Sequence, residues 1–223
     1  VPKSLHILSF KSIKSIACAE SIICLSLIID ILSVFLLIML ISWFFSLINE
    51  INFSKSIHVP RETCIDFERF ISLIIEKNKE INIISRKNDK ISIIRERHII
   101  DSAQAIDFID LNDNICSDLG TGAGLPGIVL AIMMKNLNQS MKFKLYEKSH
   151  LKSDFLRDVS RKLNLNIEVI EGDIFKKKNL SSDIVIGRAF RPLPVVLELM
   201  TKNFFNYKNL ILFMGKNGKQ ILK

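Results

Sequence analysis

Hydrophobic and polar positions divide the chain into two parts near residue 52. The first part is dominated by an uncharged run of 18 residues, Ile31 to Ile48. At about 1.5 Å per residue, such a helix nearly spans a bilayer core of about 30 Å. Two interpretations stay open: a membrane anchor, or an apolar extension foreign to the rest of the chain. We therefore treat residues 1–52 as an apolar, helical extension and residues 53–223 as the main domain.

The apolar positions take on helical spacing after Val59. Starting at Phe67 they recur at i, i+3, i+4, i+7 and i+8, with charged residues between them, which predicts an amphipathic helix. After a loop over residues 79–89, a second helix is predicted from Lys90 to Phe108. Its inward positions are Ile94, Ile99, Ala103 and Ile106. We expect these two helices to form a small cap over residues 59–110.

From residue 111 onward, short apolar segments alternate with helical ones. Five strands are predicted, over 114–119, 141–146, 167–170, 184–186 and 209–214. Helices are predicted over 127–134, 152–163 and 193–204. Strands that alternate with helices form a parallel sheet. The sequence therefore predicts an α/β fold, with the sheet in residues 111–223.

Composition narrows the class of protein. Apolar residues make up 48% of the chain, which argues against global disorder. Lysine and arginine number 31 against 23 acidic residues, so the net charge is +8, which favours a polyanionic partner. The four cysteines form no CxxC pair. This disfavours a disulfide scaffold or a zinc ribbon and fits a reducing compartment.

The strongest local motif follows the first predicted strand and reads DLGTGAGLPG over residues 118–127. Glycines permit positive φ angles and close ligand approach, and the start of the next helix offers free N–H groups. A loop of this kind at the carboxyl ends of parallel strands is typical of a nucleotide-like cofactor site. The motif also contains the dinucleotide pattern GxGxxG, with Glu147 lying 20 residues after Gly127.

Asp118 favours S-adenosylmethionine over a dinucleotide. Its carboxylate would repel a pyrophosphate, whereas it can accept a hydrogen bond from the ammonium group of S-adenosylmethionine. Glu147 would then hold the ribose hydroxyls. Two other function classes stay open at this point: a NAD-binding oxidoreductase and a membrane-tethered binding protein.

Several pieces together resemble the glucose-inhibited division protein B family, the methyltransferases G of small-subunit ribosomal RNA. In chain order they are RHIIDS (97–102), DLGTGAGLPGI (118–128), Glu147, FLR (155–157) and GRAF (187–190). The resemblance runs from about Val59 to Gly215. It implies a class I S-adenosylmethionine-dependent methyltransferase, Rossmann-like sheet with an N-terminal helical cap. It also implies transfer of a methyl group to N7 of a guanine in 16S ribosomal RNA.

The motif and the resemblance together give the expected site residues. The loop contributes Asp118, Gly120, Gly122, Gly124 and Leu125, of which the resemblance implies Gly120 and Leu125. The resemblance also implies adenine contacts at Ile174 and Phe175 and a role for Arg188. Asp173 is added as a candidate for the adenine amino group. For RNA contact, the candidates are Arg97, His98 and Arg191.

No catalytic residue is expected. Guanine N7 carries an unprotonated lone pair, and a sulfonium donor is already activated, so alignment matters more than a general base. No metal is expected either. The expected partner is 16S ribosomal RNA or the small ribosomal subunit, and we expect a cytoplasmic monomer, with membrane association only if residues 31–48 are an anchor.

The number of strands raises one further expectation. A complete class I methyltransferase sheet has seven strands, and five are predicted here. We therefore expect the last two strands to be lacking, which leaves the activity of this copy open.

Overall fold

The computed structural model describes residues 59–85 and 90–215, together with the helical positions 36, 39 and 40. The chain divides into two units, Val1–Asn52 and Phe53–Lys223. Except for these three positions, the predicted apolar run 31–48 lies outside the described residues. Within the described part of the chain, no helix is both long and apolar enough to cross a bilayer. The domain boundaries drawn from the sequence stay a prediction.

Helix α1, Arg61–Asn78, is the first element of the cap. Four residues of its predicted apolar stripe are buried (Phe67, Phe70, Ile71 and Ile74), and Ile75 is partly buried. The side chain of Asn78 ends it by turning the chain back. Its Oδ1 accepts hydrogen bonds from the backbone N–H groups of Ile83 and Ile84, at 3.0 and 3.1 Å. These bonds satisfy two buried donors that would otherwise destabilise the turn.

The second cap element, α2, is helical from residue 91 to residue 108 but changes its winding. It runs as an α-helix over Ile91–Ile94, a π-helix over Arg95–Ile100, an α-helix over Asp101–Ala103 and a 3₁₀-helix over Gln104–Phe108. The sequence predicted its extent and its inward residues, but not the π-helical turn. That turn falls on the RHIIDS motif, and such turns are frequent at functional sites.

A five-stranded parallel sheet forms the centre of the domain, and a separate two-stranded sheet lies apart from it. In chain order the strands are β1 (Ile115–Leu119), β2 (Lys142–Glu147), β3 (Ile167–Glu171), β4 (Leu180–Ser181), β5 (Ile184–Arg188), β6 (Phe204–Asn206) and β7 (Asn209–Phe213). The central order is β3-β2-β1-β5-β7, and each neighbouring pair is parallel. The strand order therefore reverses at β1, and a ligand crevice forms at the carboxyl ends on either side of such a strand.

Three helices cover the sheet: α3 (Gly127–Leu137), α4 (His150–Lys162) and α5 (Leu193–Asn203). One face of the sheet packs with α1, α2, α3 and α4 around the larger core. The other face packs with α5 around a smaller core that includes Leu119, Val185 and Val196. The predicted strands and helices of the central sheet are confirmed. The β4–β6 pair was not predicted, since strands of two and three residues leave no readable period.

Candidate cofactor and substrate site

The glycine loop lies at the carboxyl end of β1 and is fixed from both sides by carboxylates. Gly120, Gly122 and Gly124 have φ angles of +65°, +59° and +89°. The N–H of Gly122 donates to Oε2 of Glu147, and the N–H of Gly127 donates to Oδ2 of Asp118, each at 2.9 Å. The loop is thereby held against the ends of β1 and β2 and against the first turn of α3.

The space beside Gly120 is occupied by a side chain, whereas the space beside Gly122 is open. A Cβ atom added to Gly120 would lie 2.3 Å from Cδ2 of Phe190, whose ring therefore occupies the space beside this glycine. A Cβ atom added to Gly122 would meet nothing nearer than the carbonyl oxygen of Gly120, at 3.9 Å. The space that a ligand can enter is thus beside Gly122.

Asp118 is fully buried beneath the loop. Burial raises the pKa of its carboxyl group to about 6, although the hydrogen bond from the Gly127 N–H favours the charged form. Its Oδ1 atom makes no hydrogen bond to any described residue. A buried carboxylate oxygen without a donor is costly, and it suits a charged N–H donor supplied by a ligand.

Glu147 is the last residue of β2, and each of its carboxylate oxygens accepts a hydrogen bond from the backbone. Oε2 accepts from the N–H of Gly122, and Oε1 accepts from the N–H of Ser149 at 2.8 Å. Each carboxylate oxygen can accept two hydrogen bonds, so capacity remains for the hydroxyl groups of a ribose. The structure brings Glu147 next to the loop, and its use as a ribose contact, suggested by its spacing of 20 residues after Gly127, stays a prediction.

The segment after β3 holds the three residues expected around an adenine. Oδ1 of Asp173 accepts from the N–H of Phe175 at 3.1 Å and caps the 3₁₀ turn Ile174–Lys176. Ile174 is buried in the smaller core, whereas Phe175 keeps 36% of its surface exposed. Of the predicted pair, Phe175 is therefore the one that can contact a ligand with its side chain.

Asn203, at the end of α5, fixes this segment and was missed by the sequence reasoning. It is buried, and its Nδ2 donates to the backbone carbonyl groups of Phe175, at 3.1 Å, and Lys177. The only signal in the sequence is a polar residue at an apolar helix end, which by itself predicts a helix cap rather than a long-range contact.

Arg188, at the end of β5, connects the sheet to the RHIIDS motif of the cap. Its NH1 donates to Oγ of Ser102 at 3.0 Å, and its NH2 donates to the carbonyl group of Arg97 at 2.6 Å. NH2 also lies 3.1 Å from Oδ2 of Asp101. The guanidinium group thus fastens α2 over the carboxyl end of the sheet. A direct contact between Arg188 and a cofactor stays a prediction.

His98 lies in the same motif with both ring nitrogens buried, and neither bonds to any residue that the structure describes. Burial lowers the pKa of this imidazole, and the neighbouring Arg188 guanidinium lowers it further. The ring is therefore neutral at neutral pH, which weighs against a simple charge contact with phosphate.

Comparison with known proteins shows which family the chain belongs to. The family model described as "rRNA small subunit methyltransferase G" matches residues 63–221. The ribosomal RNA small subunit methyltransferase G of Pelagibacter ubique is 56% identical over 169 residues, covering 76% of this chain and 79% of the relative. This chain belongs to the rRNA small subunit methyltransferase G family.

Other relatives agree with this membership. The protein of the same name from Orientia tsutsugamushi is 35% identical over 161 residues, covering 72% of this chain and 76% of the relative. A solved S-adenosylmethionine-dependent methyltransferase from Thiobacillus denitrificans, in complex with S-adenosyl-L-homocysteine, has a TM-score of 0.42 and 14% identity over 62% of this chain and 52% of that one. The latter similarity is too low to carry an argument. The predicted fold class is confirmed, and neither of the alternative function classes gains support.

The two arginines of α4 are paired with neighbouring acidic residues. Arg157 pairs with Asp154 and Glu171, and Arg161 pairs with Asp158. The charges of these two arginines are thus compensated locally. The predicted RNA residues Arg97 and Arg191 are both exposed, at the cap and just beyond β5.

In the described ranges 59–85 and 90–215, the side chains that could bind a metal ion do not form a cluster. No cluster of three or more histidine, cysteine, aspartate or glutamate residues is placed there to hold an ion. Cys64 and Cys116 are both buried.

Proposed function

We propose that this chain transfers a methyl group from S-adenosylmethionine to N7 of a guanine in 16S ribosomal RNA. The observation that carries the proposal is the glycine loop, open beside Gly122 and held between the carboxylates of Asp118 and Glu147. It lies at the strand where the sheet order reverses, in a member of a family named for ribosomal RNA methylation. The same loop geometry is a poor match for a pyrophosphate, because a buried carboxylate lies directly beneath it.

The residues present fit S-adenosylmethionine. The unpartnered Oδ1 of Asp118 accepts from the ammonium group, and Glu147 accepts from the ribose hydroxyl groups. Phe175 contacts the adenine ring, and Asp173 lies beside it for the exocyclic amino group. Gly120, Gly124 and Leu125 keep the loop backbone close to the cofactor. When bound, S-adenosylmethionine supplies an electrophilic methyl group on a positively charged sulfur.

The reaction requires the protein to align the two reactants, but it does not require a proton transfer. Guanine N7 has no proton to remove, so no residue has to act as a base at the reacting atom. The chain's part is to hold base and donor in line and to exclude water. Arg188 contributes by fastening the cap to the sheet.

The RNA partner is supported by charge. The chain carries a net charge of +8, and Arg97 and Arg191 are exposed near the carboxyl edge of the sheet. Phosphate contacts by such residues give affinity and orientation without sequence specificity. Naked 16S ribosomal RNA and the assembled small subunit both remain candidate substrates, and action as a cytoplasmic monomer belongs to the same proposal.

Two measurements test this proposal. Calorimetry with the full chain should show saturable binding of S-adenosylmethionine and none of NAD. Undermethylated small subunits, and RNA extracted from them, should take up labelled methyl groups from S-adenosylmethionine, and nucleoside mass analysis should find the label in 7-methylguanosine. Label in any other nucleoside, or binding of NAD in preference to S-adenosylmethionine, contradicts the proposal.

A further inference from the structure

The central sheet carries charged residues on one face, where β2 and β3 lie next to each other. Lys142 and Lys144 alternate along β2 with the buried Phe143 and Leu145, and Lys144 is in register with Glu168 of β3. The side chains of Lys142 and Glu168 are each 45% exposed. The strands of a parallel sheet are normally apolar because both faces are covered. This part of the face is therefore open to water.

Three consecutive lysines, 176–178, lie across the same face. Ile174, which precedes them, and Leu180, which follows them, pack in the smaller core with Tyr146 of β2. Residues two positions apart on a strand point to the same side, so Lys144 lies on the side of the sheet that Tyr146 faces. Lys144 and the three consecutive lysines thus lie on one side of the sheet, and we call these four residues the lysine surface.

Hydrogen bonds hold the backbone of the three consecutive lysines in place. Nδ2 of the buried Asn203 donates to the carbonyl groups of Phe175 and Lys177. The N–H of Lys177 donates to the carbonyl group of Ile174 at 3.1 Å, and strand β4, which follows the lysines, pairs with β6. A partner that binds these lysines has little backbone left to order, which lowers the entropic cost of binding.

The positive charges of the lysine surface are not neutralised within the described part of the chain. Lys142, which is not part of this surface, pairs with Glu168 at 2.8 Å. Lys144 lies opposite the same glutamate but forms no ion pair with it, and residues 176–178 form none with any residue that the structure describes. Lys176 and Lys178 are also exposed. The surface therefore presents four positive charges next to one glutamate that already has a partner.

We propose that the lysine surface binds the phosphate backbone of the ribosomal RNA, as a contact separate from the place where the methyl group is transferred. The inference rests on the proposed function and adds to it a second region of RNA contact. Charge complementarity carries it, because lysines that neutralise phosphates release the counterions condensed around a nucleic acid. Ammonium groups are point charges that bind phosphate without reading the bases. The surface thus gives affinity and orientation rather than specificity.

The test removes charge from this surface and, separately, from the other side of the sheet. Lys176→Gln/Lys178→Gln and Lys144→Gln weaken the lysine surface, whereas Lys176→Arg/Lys178→Arg keeps its charge. The matched control is Lys79→Gln/Lys162→Gln, which also removes two lysines. They lie at the end of α1 and on α4, helices that pack on the opposite face. All variants are made in the full chain, and thermal unfolding checks that each of them is folded.

Binding of 16S ribosomal RNA from undermethylated subunits is measured over a range of KCl concentrations. Each lost phosphate contact lowers the slope of log K against log salt by about 0.7–0.9 in magnitude. Lys176→Gln/Lys178→Gln should therefore lower the slope by about 1.5 and the affinity roughly tenfold or more at about 0.1 M KCl, and Lys144→Gln should change the slope by about half as much. The arginine variant and the control should keep an affinity within about threefold of wild type, and every variant should keep its affinity for S-adenosylmethionine to the same extent.

Two results overturn the inference. An equal loss of RNA affinity in the control would mean that net charge alone attracts the RNA. An unchanged salt slope in both glutamine variants would mean that these lysines contact no phosphate.

Methyl transfer, measured in parallel, separates this inference from the proposed function. If the wild type binds RNA through these lysines but places no label in 7-methylguanosine, the proposed function fails and the lysine surface stands. If the wild type methylates guanine N7 but the glutamine variants bind RNA with the wild-type salt slope, only the lysine surface fails.

Discussion

Gly120 and Gly122 form a natural pair for measuring what the Phe190 ring, which lies against Gly120, contributes to stability. Their φ angles, +65° and +59°, are nearly equal. An alanine at either position therefore carries a similar backbone penalty of about 1–2 kcal/mol. Part of it is offset, because alanine restricts the unfolded chain and so stabilises the fold by about 0.4–1 kcal/mol. From the backbone alone, each substitution should cost about 1 kcal/mol of the unfolding free energy.

The two positions differ in what surrounds the new methyl group. In Gly120→Ala the Cβ atom would lie 2.3 Å from Cδ2 of Phe190, whereas ordinary carbon contacts begin at about 3.5 Å. The ring must therefore withdraw by more than about 1 Å and lose its stacking on Phe175, whose ring centroid lies 6.1 Å away; such a pair is worth about 0.5–1.5 kcal/mol. We expect Gly120→Ala to cost about 1.5–2.5 kcal/mol in total, and Gly122→Ala to cost only the backbone part.

Urea unfolding of the full chain without ligand measures the loss of unfolding free energy in Gly120→Ala and in Gly122→Ala. A double-mutant cycle with Phe190→Ala then shows how much of each loss depends on the Phe190 ring. In a Phe190→Ala background, the cost of Gly120→Ala should fall to that of Gly122→Ala, while the cost of Gly122→Ala should not change. Equal costs for the two alanines in the wild-type background, or a Gly120→Ala cost that is independent of Phe190, would refute this reasoning.

The same pair also separates stability from ligand binding. The methyl group of Gly122→Ala enters the open side of the loop, so this milder variant should lose about tenfold or more in affinity for S-adenosylmethionine, or about 1.4 kcal/mol. Calorimetry on the folded variant checks this. Wild-type affinity in Gly122→Ala would contradict the placement of the cofactor beside this glycine.

Three further predictions follow from single contacts. Folding raises the pKa of Asp118 from 3.8 to about 6, so the folded state binds this proton more tightly than the unfolded state does. The free energy of unfolding should therefore fall by roughly 3 kcal/mol as the pH rises from about 4 to about 6. Asp118→Asn keeps an acceptor for Gly127, so urea titrations should find this fall removed and the variant more stable at neutral pH, with weaker S-adenosylmethionine binding; an unchanged pH profile would show that another group causes it. Arg188→Lys cannot reproduce the forked contacts with the cap and should lower the unfolding free energy by about 2 kcal/mol, whereas a loss below about 0.5 kcal/mol would mean that the cap does not depend on them. Asn203→Leu leaves partly buried carbonyl groups without this donor and should cost about 1 kcal/mol, with faster hydrogen exchange over residues 173–177; unchanged exchange there would argue against its anchoring role.

Local pattern was enough to predict the elements of the central sheet and the cap. Apolar residues at helical spacing place one face of α1 in the core, and short apolar strands between helices require a parallel sheet. Because parallel strands end at the same edge, the loop after β1 and Glu147 after β2 could be expected to meet, and the Gly122–Glu147 hydrogen bond joins them. The motif order likewise led from the residues to the family.

The contacts that complete the site could not be read from the sequence. Arg188 meets Ser102 across 86 positions of the chain, and Asn203 meets the segment after β3 from the far end of α5. The ring of Phe190 lies against Gly120, although the two residues are 70 positions apart in the chain. Periodicity records which side of an element is buried, but not which distant partner it meets. The sequence thus determined the elements and the edge at which chemistry occurs, whereas the packing of α2 and α5 on that edge decided which side chains face each other there.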